Sequence, residues 1–88
     1  MANHKSAEKR ARQALRRRDQ NRTVRSETRT RVKGLQTAIE AGDAAQAKDR
    51  LREAERSLRK AASKGVVKKT TAGRRVSRLA RAVHALEG

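Results

Sequence analysis

The sequence predicts an all-α protein, an up-down-up antiparallel three-helix bundle whose long first helix overhangs at its N-terminal end. Three observations carry this expectation. The 88 residues contain no Pro and only five Gly, so little interrupts long stretches of Ala, Arg, Lys, Gln, Glu and Leu, the good helix formers. Apolar side chains within those stretches recur at spacings of three and four. The breaks are short and carry Gly, and short connections set consecutive helices antiparallel.

The first helix is expected over about residues 6–41. Val24, Thr28, Val32, Leu35 and Ile39 share one of its faces and form the candidate core face. Ala41-Gly42-Asp43 ends the pattern: Gly42 suits a left-handed C-terminal position, and Asp43 suits the next N-cap with Gln46 three residues on. The second helix, about 44–62, carries a seam of Ala47, Leu51, Ala54, Leu58 and Ala61. On its other side Asp49 with Arg52, Glu53 with Arg56, and Glu55 with Arg59 are placed to pair across a solvated face. Ser63-Lys64-Gly65 ends this helix, Val66 and Val67 are expected to tuck under the bundle, and Thr70 or Thr71 is the candidate cap of a third helix reaching about residue 86. Its expected buried stripe is Val76, Leu79, Ala80, Val83 and Leu86.

At ~1.5 Å per residue the first helix is about 54 Å long, roughly twice the second, so part of it must overhang. Residues 16–23 contain no apolar side chain, which puts the overhang at the N-terminal end. One domain over 1–88 is expected, with a basic arm (1–23) continuing helix one and a bundle (24–88) behind it. Six Leu, six Val, one Ile and sixteen Ala, with no aromatic residue, are the material for its core. Such a core is thin, and a partner that orders part of the chain is anticipated.

Twenty-five Lys and Arg against nine acids give a net charge of +16, far beyond what solubility needs, and imply a polyanionic partner. The charge is uneven: residues 1–33 carry +9, 34–62 carry +1 and 63–88 carry +6. Two basic segments thus bracket a nearly neutral helix, and an antiparallel hairpin sets the second near the middle of helix one. Arg18, Arg22, Arg25, Arg29 and Lys33 fall in a stripe beside the apolar face, whereas Lys9, Arg10, Arg12, Arg16 and Arg17 point around nearly the whole circumference. A membrane-lying helix needs an apolar face, and the arm offers only Ala7, Ala11, Ala14 and Leu15. An arm basic on every side suits a crevice between phosphate backbones, and Arg adds bidentate donation to phosphate and stacking on bases.

Other chemistry is excluded. No Cys is present, so thiolate metal sites and thiol nucleophiles are absent. His4 and His84 have no catalytic constellation, and His84, beside Val83, reads as a partly exposed bundle residue. The glycines form no nucleotide-binding loop. No run approaches a membrane span, and the opening residues lack a signal-peptide core, so a cytoplasmic, non-enzymatic protein with no cofactor, metal or small-molecule substrate is expected.

The opening Met1-Ala2-Asn3-His4-Lys5-Ser6-Ala7-Glu8-Lys9-Arg10 resembles the start of the family of the twentieth protein of the bacterial small ribosomal subunit. Arg25-Ser26 with Arg29-Thr30, Ala38-Ile39 followed by Ala41-Gly42-Asp43, and Lys60-Ala61-Ala62-Ser63-Lys64-Gly65-Val66 continue the likeness in order over the whole chain. The resemblance implies a three-helix bundle in the ribosome that binds small-subunit ribosomal RNA directly, stabilises its folding during assembly, neighbours other small-subunit components and has no enzymatic activity. Carried over by position, it implies RNA contacts at Asn3, Lys5, Ser6, Lys9, Arg10, Arg12, Arg16, Arg17, Arg18, Asn21, Arg22, Arg25, Ser26 and Arg29, which Lys33 extends along the stripe. A second implied patch holds Ser63, Lys64, Lys68, Lys69, Thr70, Arg74, Arg75 and Arg78. The family usually shows His-Lys-Asn where this chain has Lys68-Lys69-Thr70, and Ala where it has Gly73. The rival reading on charge alone is a nucleoid-type DNA-compacting protein.

Overall fold

The computed structural model describes residues 2–87, with side chains from Lys5 to Glu87. Three helices make up the fold: α1 (Ala2–Glu40), α2 (Ala44–Ser63) and α3 (Lys69–Glu87). The first starts earlier than its apolar periodicity suggested, because no Pro or Gly precedes Gly34 and nothing in residues 2–5 stops a helix. Within α1 the Thr23, Thr30 and Thr37 hydroxyls donate to the carbonyls of Asp19, Ser26 and Lys33 at 3.0, 2.9 and 3.0 Å. Residues otherwise prone to leave a helix thus satisfy their hydroxyls on its own backbone.

Both breaks are built alike. Gly42 has φ 72° and Gly65 φ 76°, the left-handed conformation that glycine adopts without a Cβ penalty. Around Gly42, the Gly42 N–H donates to Ile39 O and the Asp43 N–H to Ala38 O; around Gly65, the Gly65 N–H donates to Ala62 O and the Val66 N–H to Ala61 O. Each is a Schellman motif that closes two orphan carbonyls of the preceding helix. Asp43 caps α2 as expected, its Oδ1 accepting from the Gln46 N–H at 3.1 Å. Its own N–H is already spent on Ala38 in the Schellman turn. The expected threonine cap of α3 does not form: the helix begins at Lys69, and its first turn is closed by the Ala72 N–H donating to Lys68 O. Thr70 and Thr71 lie inside that turn.

Leu35, Ala38, Ala47, Ala54 and Val83 form the buried core, with Val32, Ile39, Leu51, Leu79 and Leu86 packed around it. Leu58, Ala61, Ala72 and Thr28 are buried as well. Leu35 and Leu58 are the largest fully buried side chains, as a core without aromatics requires. The expected stripe on α3 is buried only at Val83. Val76, Leu79, Ala80 and Leu86 stay half-exposed, and Ala72 is buried in addition. The reason is topological: α3 packs on α2 and meets α1 only sparsely, so one flank is left open.

Ion pairs also depart from the local pattern. Arg59 pairs with Glu55 at 2.6 Å as expected, but Glu53 pairs with Arg31 of α1 at 3.2 Å and with Arg50 at 3.3 Å, not with Arg56. Among the described residues Asp49 and Arg52 form no pair. The Glu53 Oε2 is thus shared between an i,i+3 neighbour, Arg50, and a cross-helix contact to Arg31 that no local spacing rule anticipates.

Every residue from 5 to 20 is exposed, and burial begins at Asn21 and Val24. The molecule measures 67 × 21 × 14 Å with a radius of gyration of 17.7 Å, against about 12 Å for a compact chain of this length. The overhanging arm accounts for the difference.

Candidate polyanion-binding surface

On α1, Arg18, Arg22, Arg25, Arg29 and Lys33 are all exposed along one side. Two shallow grooves run between them. One, about 600 Å³, is lined by Ala14, Arg17, Arg18, Asp19, Asn21, Arg22 and Arg25; the next, about 330 Å³, by Arg22, Arg25, Ser26 and Arg29. The small Ser26 opens space between long arginines, and Asn21, half-buried, offers a neutral amide among them. Among the described residues no carboxylate pairs with Arg18, Arg22, Arg25 or Arg29. Their charge is available to a ligand.

The second basic segment divides. Lys64, on the turn after α2, lines a groove of about 760 Å³ with Arg16, Arg17, Gln20, Asn21 and Val24 of α1, where Asp19 and Glu27 add two acids. The antiparallel hairpin therefore brings this connection against helix one, as its length demanded. Arg75 and Arg78 reach the open α1–α3 flank, where they line a groove of about 380 Å³ with Val32, Gln36 and Leu79. Ser63 and Lys69 face away from α1, into a groove between α2 and α3. Lys68, Thr70 and Arg74 are exposed, as are Lys5, Ser6, Lys9, Arg10 and Arg12 on the arm. The side chains of Asn3 and His4 lie outside the described residues.

Gln20 and Gln36 line these grooves without having been singled out from the sequence, and Arg59, read there only as the partner of Glu55, lines one as well. Gln20 carried a usable signal, since it stands one turn before Val24 on the extension of the core face. Leu15 is the exposed large apolar side chain of the arm, at 57%.

Among the described residues His84 has one acidic neighbour, Glu87. His84 is exposed, its side chain at 85%, more than the partial exposure expected, and its Nδ1 lies 3.4 Å from Glu87 Oε2. Glu87 also accepts from Lys48 at 3.1 Å. That hydrogen bond, followed by the charges of Lys48 and His84, holds the Glu87 carboxyl below its usual 4.5 despite partial desolvation. Among the described residues no cluster of His, Cys, Asp and Glu could hold a metal ion, and no helix is long and apolar enough to cross a membrane.

The fold and surface define a small helical polycation whose exposed basic side chains gather along one helix and its flank. A family model described as ribosomal protein S20 matches residues 2–84. Small ribosomal subunit protein bS20 of Campylobacter curvus is 48% identical over 87 residues, covering 99% of this chain and 98% of that protein. The bS20 protein of Helicobacter pylori is 47% identical over 79 residues, covering 90% and 89%. That of Campylobacter concisus is 47% identical over 87 residues, covering 99% and 98%. The chain belongs to the ribosomal protein S20 family: a structural, non-enzymatic constituent of the small ribosomal subunit, found in the ribosome and so in the cytoplasm.

Proposed function

We propose that this protein binds small-subunit ribosomal RNA directly and stabilises its folding during assembly, acting as a multivalent electrostatic clamp. The single observation that carries the proposal is the arginine ladder of α1, whose Arg18, Arg22, Arg25 and Arg29 form no ion pair among the described residues, continued by Lys64 on one flank and by Arg75 and Arg78 on the other. Cations from three chain segments let one rigid body touch separate phosphate backbones and oppose their mutual repulsion, while release of condensed counterions supplies much of the affinity. A-form RNA hides its major groove. Phosphate, shape and the 2′-hydroxyl therefore carry recognition, with Asn21 and Ser26 as neutral hydrogen-bonding groups within the ladder. Residues 1–23 act as the inserting arm and the bundle as the platform that aims it.

The test is the salt dependence of binding to small-subunit ribosomal RNA, with duplex DNA of equal length as competitor. A steep slope with retained preference for the RNA is the expected result. A steep slope with no preference leaves a generic polycation and defeats the proposal.

A further inference from the structure

The groove between α2 and α3 is separate from the arginine ladder: no residue of α1 lines it. It has a volume of about 600 Å³, within the usual range for small-molecule sites. Its floor is apolar where α3 presents Ala72, Gly73 and Val76. A Cβ placed on Gly73 would meet nothing within 4 Å, so the glycine bares backbone at the bottom of open space and no packing constraint demands it. The only charged side chains along the walls are Arg59 and Lys69, both cationic. Arg59 is held at the rim by Glu55, 2.6 Å from its Nη2; its remaining donors are unspent by that pair. Ser77 adds a hydroxyl at the edge.

We infer that this groove receives an unstacked nucleotide of the RNA, with the base on the Ala72–Gly73–Val76 floor and the phosphate between Arg59 and Lys69. The inference rests on the ribosomal-RNA reading given above. An apolar floor suits the face of a base, the hydroxyl can meet either a donor or an acceptor on its edge, and Lys69 together with the Arg59 donors not engaged by Glu55 complements one phosphate. The site would supply what the arginine ladder lacks, a contact that distinguishes an unpaired nucleotide from continuous duplex.

The experiment fills the groove from two exposed positions on α3, by Gly73→Leu and separately by Ser77→Leu. Leucine is a better helix former than glycine or serine, so α3 is not weakened; circular dichroism checks that both variants keep wild-type helicity. Chemical probing of base edges in small-subunit ribosomal RNA is then compared for the RNA alone and with each protein. Wild type is expected to shield an unpaired base that both variants leave reactive, with the other protections retained. Affinity is expected to fall on the order of fivefold, the low end of single-base contributions because the floor has no aromatic ring. An identical footprint and affinity for both variants would leave the groove to a protein partner and overturn the inference, as would a wild-type footprint with no unpaired base shielded. Failure of wild type to bind the RNA at all is a different result, and removes the ribosomal-RNA reading as well.

Discussion

Lys48 Nζ lies 3.1 Å from Glu87 Oε1, tying the start of α2 to the last turn of α3. The contact closes the end of the bundle at which Leu86 packs on the core. Because Lys48 and His84 hold the Glu87 carboxyl below its ordinary 4.5, folding favours the ionised form. The stabilisation is complete above about pH 4.5 and is lost as pH falls through the lowered folded value. Glu87→Gln is therefore expected to lower the melting temperature at pH 7 and to lower it by less at pH 3, where more of the wild-type carboxyl is protonated. Thermal denaturation at the two pH values checks this.

Leu58 is fully buried at the far end of α2 from that clasp. Truncation by Leu58→Ala is expected to cost about 2–5 kcal/mol, a large share of the stability of a small domain. Loss of cooperative thermal unfolding in the free protein is the expected observation, and Leu35→Ala should behave in the same way.

Gly34 sits inside α1, and a Cβ there would meet nothing within 4 Å. Gly34→Ala is expected to stabilise the protein by about 0.5–1 kcal/mol through reduced backbone entropy in the unfolded chain. Gly42→Ala is expected to destabilise it, since φ 72° is strained for any residue with a Cβ. Chemical denaturation of the pair separates a helix-interior glycine from a turn glycine.

Arg25 and Arg31 stand two turns apart on α1 with different engagements. Arg25 has no ion-pair partner among the described residues, whereas Arg31 is bound to Glu53. Arg25→Gln is expected to weaken RNA binding modestly and lower the salt slope by about 1. Arg31→Gln should loosen the α1–α2 contact and leave the slope nearly unchanged. Filter binding across a salt series, paired with thermal melts, distinguishes the two.

Residues 5–20 are exposed without exception, so no tertiary packing protects their backbone hydrogen bonds. Amide exchange there is expected to be fast in the free protein and slow in the RNA complex. Deleting residues 1–22 should nearly abolish binding, and retained affinity would remove the arm from the mechanism.

The helices, both breaks and the overhang were legible in the sequence because each rests on local chemistry. Gly42, Gly65 and Asp43 act through neighbours within five residues, and the spacing from Val24 to Ile39 is a property of one helix. What the sequence concealed is tertiary. Arg31 and Glu53 are 22 positions apart, and only the packed hairpin makes Glu53 choose Arg31 and Arg50 over Arg56. The open flank of α3 was hidden for the same reason: Val76, Leu79 and Leu86 have the periodicity of a buried stripe, but periodicity does not say how many neighbours will cover it. The basic residues of the candidate surface were legible as charge. Their sorting was not, since it depends on Lys64 turning toward α1, Arg75 and Arg78 reaching the open flank, and Lys69 turning toward α2.

The sparse contact between α1 and α3 has a kinetic consequence. Each helix packs chiefly on the one beside it in the chain, so the bundle assembles by closing two successive local hairpins and no step must bring the distant ends together. Low contact order of this kind belongs to chains that fold in microseconds to milliseconds. That is far shorter than the several seconds or more needed to synthesise 88 residues, so the bundle is complete almost as soon as its last turn is made.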